Sequence, residues 1–181
     1  MLNSSAWDAD MSANWYKEQP KNRNYLTPVG FKLKLERFGG VDFFCQAVNL
    51  PDVEMPFTEV QTRFRGVPII AGGGVTYGNL QLRFIVDEDM ANYTSIWNWI
   101  RDNGNAESGG EVEGLGYSGA QLEIHTSSNN INFVIDFEKI FPISLTELTF
   151  DATSQDIDFF TSNVTFKYTR YTIRDKNFRI I

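Results

Sequence analysis

Apolar and polar residues alternate along most of the chain with a period of two, which predicts β-strands that bury one face. The alternation is clearest in residues 31–35, 79–86 and 131–137. A shorter apolar run at 41–48 follows Gly39-Gly40, so we expect it to turn back beside the first strand. This pattern indicates a protein made mainly of strands.

The last third of the chain, Lys139–Ile173, continues the alternation. We expect one strand to end at Phe141-Pro142, because proline cannot donate a hydrogen bond to a strand ladder. Ser144–Phe150 then alternates as a separate strand, and Asp151 opens a polar turn. A long strand follows and includes residues 164–168, so this region is predicted to complete a β-rich core.

One segment replaces the alternation with apolar residues spaced by three or four, which predicts a helix over Met90–Asp102. The acidic residues 87–89 precede this helix and suit the positive end of its dipole. Residues 103–119 are rich in glycine and are predicted to form a mobile loop. The helix is expected to flank the sheet through Tyr93, Ile96, Trp97 and Ile100.

Residues 57–78 form the most unusual stretch, because they combine two β-type runs, a proline and three consecutive glycines. This composition predicts either a long β-hairpin or an extended loop with a flexible bend. A connection of about twenty residues is long, and long connections are usually functional or mobile. The stretch is therefore a candidate functional segment.

These elements predict a mainly β fold, with roughly six to eight strands and one helix and without the βαβ alternation of parallel sheets. We expect an antiparallel β-sandwich or barrel with one flanking helix and a long β-hairpin loop. The 181 residues suffice for one core, and an aromatic content of 14% favours sheets. Residues 27–181 are predicted to form this domain, and the polar, aperiodic residues 1–26 an N-terminal arm that orders only against neighbours.

The amino-acid composition argues against an enzyme active site. Cys45 and His125 are the only cysteine and histidine, neither lies in a catalytic motif, and together they are too few for a zinc site. The acidic residues 87–89 are more simply explained by helix capping than by calcium or magnesium binding. A net charge of −7 is not typical of a dedicated nucleic-acid-binding protein. We therefore expect no enzymatic activity, no cofactor and no metal. We also expect no membrane anchoring, since no apolar run approaches the ~18 residues of a membrane-spanning helix.

The order of these parts resembles the tail-tube proteins of contractile-tailed bacteriophages. The resemblance spans about Phe31–Tyr171, and four segments carry it. They are Ile96–Trp99 in the helix and, near the C-terminus, Phe141-Pro142, Glu147–Asp151 and Val164–Tyr168. It implies the phage tail-tube fold, in which six subunits form a ring, their strands close into a continuous inner barrel, and rings stack into a hollow tube.

The resemblance also implies a role and partners. The chain would be a structural virion protein of the phage tail, assembled in the host cytoplasm, in the tube through which DNA is delivered. Its partners would be copies of itself and the sheath, baseplate and tape-measure proteins, and DNA would pass through an acidic lumen without specific binding. Contact with the next ring is then expected from Arg63, Arg65, Val67, Pro68, Ile69, Ile70, Gly72, Gly73, Gly74 and Tyr77.

Several alternatives stay open at the level of sequence. The long arm and the lead-in Asn24–Pro28 differ from a main tube subunit, so a baseplate-proximal initiator or adaptor ring with the same fold is the second interpretation. A β-sandwich carbohydrate-binding module is a third, and it requires a co-planar strip of exposed aromatic side chains. An enzyme is the last, and the missing catalytic constellation counts against it.

Overall fold

The part of the chain that the structure describes is mostly β-strand. The computed structural model describes residues 25–26, 28–38, 45–70, 72, 74–104, 116–151 and 159–181. Nearly all of the arm predicted for 1–26, the turn at Gly39-Gly40 and most of the loop predicted for 103–119 lie outside these residues.

All strand pairs in the described residues are antiparallel, as predicted. The strands are β1 (Phe31–Leu35), β2 (Cys45–Val48), β3 (Val53–Glu54), β4 (Phe57–Gln61), β5 (Gly66–Ile70), β6 (Thr76–Tyr77), β7 (Leu80–Ile85), β8 (Ser118–His125), β9 (Ile131–Leu145), β10 (Thr161–Lys167) and β11 (Arg170–Asp175). A 3-10 turn covers Glu36–Phe38, and the helix α1 covers Ala91–Gly104. Seven strands form one sheet in the order β1-β8-β9-β10-β7-β2, with β11 also paired to β9.

The strand β9 joins two halves of this sheet. Its first part, Ile131–Ile140, pairs with β8 and β11, whereas Phe141–Leu145 pairs with β10. The partners change beside Lys139, whose φ of 52° lies in the left-handed region and turns the strand. We call β2, β7, β10 and Phe141–Leu145 the front sheet, and β1, β8, β11 and Ile131–Ile140 the back sheet.

The prediction that one strand ends at Phe141-Pro142 and another covers Ser144–Phe150 is wrong. β9 continues through Pro142 to Leu145, and residues 146–150 are not in a strand. Pro142 lies opposite Phe166, where the register between β9 and β10 shifts. An irregular pairing of this kind tolerates a residue without an amide hydrogen, so the proline does not end the strand.

The expectation that residues 41–48 turn back beside the first strand is also wrong for the described residues. β1 pairs with β8, and β2 pairs with β7 in the other sheet. Alternation reports which face of a strand is buried but not which strand lies beside it, and here the two strands pack on opposite sides of one core. That core contains Leu33 and Leu122 from the back sheet and Leu82 and Val164 from the front sheet.

The helix α1 lies where the sequence predicts it, within one to two residues of Met90–Asp102. Ile96 is buried in the core, and Tyr93 and Ile100 pack against it partly buried, whereas Trp97 is exposed. The helix begins with a local network, since Asn92 donates its backbone N–H to the Asp87 carboxylate at 3.2 Å. Within the described residues no helix is long and apolar enough to cross a membrane.

Candidate assembly surfaces

A long hairpin projects from the domain between β2 and β7. Strands β4 and β5 pair in register from Phe57 opposite Ile70 to Gln61 opposite Gly66, and together they form a separate two-stranded sheet. A turn at 62–65 joins them, in which the Thr62 N–H donates to the carbonyl oxygen of Arg65 at 2.9 Å. This confirms the predicted long hairpin, which we define as Phe57–Ile70.

The long hairpin exposes apolar side chains on both of its faces. Phe57 and Ile70 share one face and are 64% and 74% exposed, and Val60 and Ile69 on the other face are also exposed. A two-stranded hairpin of this kind is marginally stable alone in water, and exposed apolar surface favours contact with other chains. The apolar side chains on both faces therefore suit the hairpin to contact with other chains on its two sides.

The tip of the hairpin is basic and aromatic. Phe64 is 93% exposed between Arg63 and Arg65. Arginine and aromatic side chains are enriched at the centres of protein interfaces. The tip is therefore suited to contact a neighbouring chain.

The base of the hairpin is fixed by a cluster of aromatic rings. The Tyr77 ring centroid lies 5.4 Å from that of Tyr171 and 6.0 Å from that of Tyr168, and Phe137 lies 5.0 Å from Tyr168. The adjoining Gly78 N–H donates to the Asp52 carbonyl at 3.0 Å. These contacts hold the base of the hairpin to the core.

The aromatic cluster predicts a change of stability at alkaline pH. Burial, aided by the neighbouring Tyr171 and Asp52, raises the pKa of Tyr168 to about 12. Because the folded pKa lies above the unfolded value near 10, stability is fully present below pH ~10 and is lost as the pH rises towards 12. In urea titrations, Tyr168→Phe should reduce this alkaline loss, whereas the exposed Tyr25→Phe should not. An unchanged alkaline loss in Tyr168→Phe would contradict this account.

Among the strands that the structure describes, the front sheet has an open edge on each side. β2 is the last strand in the sheet order, and no described strand pairs with the second side of Phe141–Leu145. Unpaired strand edges are sites where another chain adds by hydrogen bonding. Its inner face packs on the core, and its outer face is free in the described residues, since most of its side chains are exposed there. It presents Ala47, Gln81, Arg83, Ile85, Ser144, Thr161, Asn163, Thr165 and Lys167.

The structure places some candidate residues in or beside the core and others on the exposed hairpin or just after it. Tyr77 is half-buried in the base, and Ile96 is a core residue. Gly73 lies outside the described residues, whereas Gly72 and Gly74 follow the hairpin with φ of 70° and 87°, which favours glycine. The others stand on the exposed hairpin or its tip: Arg63, Arg65, Val67, Pro68, Ile69 and Ile70.

The sequence predicted the hairpin but not the exposed contact residues of its first strand, and it did not predict the edges of the front sheet. Phe57, Val60 and Phe64 are as exposed as the residues of β5 but were not among the candidates. The available signal was the consecutive apolar run Val67–Ile70, which cannot bury only one face of a strand.

The geometry of the described residues gives little support to the two alternatives from other classes, a carbohydrate-binding module and an enzyme. Phe150 and Phe160 are neighbouring exposed rings, but their planes are tilted by 51°, which is not the co-planar strip of a carbohydrate module. Burial raises the pKa of the Cys45 thiol to about 11, so this thiol is a poor nucleophile. Cys45 lies in the front sheet and His125 in the back sheet. Among the described residues no group of three or more potential ligand side chains is placed to hold a metal ion.

An antiparallel domain with two open sheet edges and a projecting apolar hairpin is the form of a structural subunit that assembles with other chains. The phage tail tube protein family matches residues 4–174, so the chain belongs to that family. This confirms the resemblance drawn from the sequence. The chain is a structural protein related to tail tubes.

Three similar proteins illustrate the relationship. The tail tube terminator protein of Enterobacteria phage T4 is 27% identical over 141 residues, which cover 75% of this chain and 79% of that protein. The tube-terminating cap of the anti-feeding prophage superposes with a TM-score of 0.64 at 16% identity, covering 87% of this chain and 96% of that one. The sheath/tube terminator of the extracellular contractile injection system PVC gives a TM-score of 0.62 at 18% identity, covering 84% and 99%. The two structures confirm the tail-tube fold.

Proposed function

We propose that this chain forms a hexameric ring that ends the tail tube of a contractile phage tail. The observation that carries the terminal position is the 27% identity to a tail tube terminator across three quarters of the chain. The open sheet edges and the hairpin support assembly into a ring that stacks on a tube. The main tube subunit and the baseplate-proximal initiator ring are the competing positions for the same fold.

Ring closure follows from the two open edges of the front sheet. In the proposed ring, β2 of one subunit pairs with Phe141–Leu145 of the next. Repetition around a closed ring leaves no unpaired edge, and it turns the free outer face of the front sheet towards the channel.

Contact between rings is assigned to the long hairpin. Its base adjoins Leu80, at the start of β7, so it leaves the front sheet at one end of the strands. If the hairpin of one ring binds a different surface on the next ring, the contact can repeat and rings can stack along one axis. Arg63, Arg65 and the residues Val67–Ile70 are the proposed contacts with the neighbouring ring.

The remaining partners follow from the position in the tail. A terminal ring meets the tube on one side, lies inside the sheath, and encloses the path of the tape-measure protein and of the DNA. In this proposal the chain resides in the virion tail and is assembled in the host cytoplasm.

The proposal is tested by locating the chain in purified virions. A tag at the exposed Ile181 is labelled with gold and the tails are imaged by electron microscopy. Label at the tube end opposite the baseplate is the expected result, with a native mass of the purified protein near six times 20.7 kDa. Label along the whole tube would identify a main tube subunit, and label at the baseplate an initiator ring. Tails without label would overturn all three.

A further inference from the structure

The free outer face of the front sheet carries positive charge and no carboxylate among its described strand residues. The whole chain has 23 acidic and 16 basic residues, so the chain is acidic, whereas this face has two cations and no carboxylate among its described strand residues. Its charged residues are Arg83 on β7 and Lys167 on β10. The other side chains of this face are small or carry amides and hydroxyls, apart from the partly buried Ile85 opposite Thr161.

Arg83 lies in a shallow concavity of this face. It is exposed, it stands opposite Asn163 on β10 and opposite Ala47 on β2, and Gln81 and Thr165 line the same concavity. Within the described part of the chain, Arg83 and Lys167 form no ion pair. Amide and hydroxyl donors beside an uncompensated guanidinium are the groups that bind phosphate oxygens.

Three cations of the back sheet, in contrast, have carboxylate partners. Lys34 forms an ion pair with Glu123, and Arg170 forms one with Glu138 at 2.8 Å. Arg174 lies 2.7 Å from the Asp136 carboxylate. Each of these cations is neutralised within the subunit, whereas the front face leaves its two cations available to a ligand.

We propose that this face binds the phosphate backbone of duplex DNA and holds the DNA inside the ring. The placement of the face in the channel rests on the proposed ring. Binding is electrostatic and independent of sequence, with the dissociation constant of about 10⁻⁴–10⁻⁶ M that such contacts give. This differs from the acidic, non-binding lumen that the resemblance implies.

Two charge-matched variants test the face. Binding of a fluorescein-labelled linear duplex to the full-length protein is measured by anisotropy over a range of salt concentrations. Arg83→Gln with Lys167→Gln should weaken binding at least about tenfold and flatten the salt dependence. Lys176→Gln with Arg179→Gln removes the same two kinds of positive charge from exposed residues beyond β11, so its affinity should stay within about twofold of wild type. Equal losses in both variants would overturn the assignment.

The topology of the DNA tests whether the binding face lies inside the ring. Preformed rings should bind a linearised plasmid and not the same plasmid in relaxed, covalently closed form, because a closed circle has no end to enter. Equal affinity for both forms would overturn an inner position. Polyglutamate and unlabelled DNA are then compared as competitors of the labelled duplex. If polyglutamate displaces the duplex as effectively as unlabelled DNA, the assignment to DNA is overturned.

Native mass spectrometry of the same samples separates this proposal from the ring assignment. Rings that bind DNA no better than the double variant Arg83→Gln, Lys167→Gln would overturn only the phosphate-binding face. A wild-type protein that forms no ring would instead overturn the ring and, with it, the placement of the face in a channel.

Discussion

Replacing Thr58–Ile69 by a two-residue Asn-Gly turn is expected to leave a folded subunit that no longer stacks on a tube. The segment is exposed and pairs only with itself, so its loss removes little buried surface. Asn-Gly is the turn that closes a hairpin between Phe57 and Ile70. Tyr77 is retained, because its ring belongs to the aromatic base. We expect the melting temperature to change by only about 2–4 °C, and docking on tubes to be lost in electron micrographs.

A matched pair of surface changes identifies the cause of that loss. Val60→Ser with Ile69→Ser keeps the hairpin but removes apolar contact from one face, and it should weaken docking by at least about tenfold. Phe178→Ser removes a comparably exposed apolar side chain elsewhere and should leave docking unchanged. Normal tube ends in the variant without the hairpin would show that the hairpin is not the contact between rings.

Trp99→Ala is expected to lower the free energy of unfolding by about 3–5 kcal/mol. The Trp99 ring is 1% exposed and packs 6.1 Å from Phe166, centroid to centroid. Its indole N–H donates to the Gly116 carbonyl at 2.9 Å, so the substitution also leaves that oxygen without this partner. Urea titration at fixed protein concentration measures the loss.

The same helix provides the control for this substitution. Trp97 is 48% exposed, and its ring faces the guanidinium of Arg101 at 4.9 Å. Because an exposed cation–π contact contributes only about 0.5–1 kcal/mol, Trp97→Ala should cost no more than that. Similar losses in the two variants would contradict the assigned packing of α1.

The sequence predicted the elements whose pattern is local. The helix and the strands near 79–86 and 131–137 follow from hydrophobic periodicity, because periodicity directly reports which side of an element is buried. The long hairpin follows from its two β-type runs and its glycines. The break assumed at Pro142 failed, since the irregular pairing with β10 accommodates a proline inside β9. The predicted partner of β1 was wrong, because the packing of the whole core determines which strands pair, and the sequence of one strand does not indicate its partner.

The candidate site was predicted in part. The residues Val67–Ile70 were recognised because they stand in a long and unusual connection, and the structure places them on an exposed strand. Their partners on β4 were not named as contact residues, since Phe57–Gln61 mixes apolar and polar residues and lacks the consecutive apolar run of β5. The front face was missed as well, because Arg83 and Lys167 are brought onto one surface only by the register of β7 and β10.

By itself, the sequence determined a mainly β, acidic domain with one amphipathic helix and a long hairpin, and its overall pattern identified the tail-tube family. These properties depend on composition and on the spacing of neighbouring residues. Only the tertiary structure decided that β9 changes sheets beside Lys139 and that the hairpin exposes both faces. It also decided that, within the described ranges, the front sheet has two open edges and its outer face has cations without ion pairs. Each of these depends on which distant strands lie side by side, because strand pairing is set by the packing of the entire core and not by any one segment.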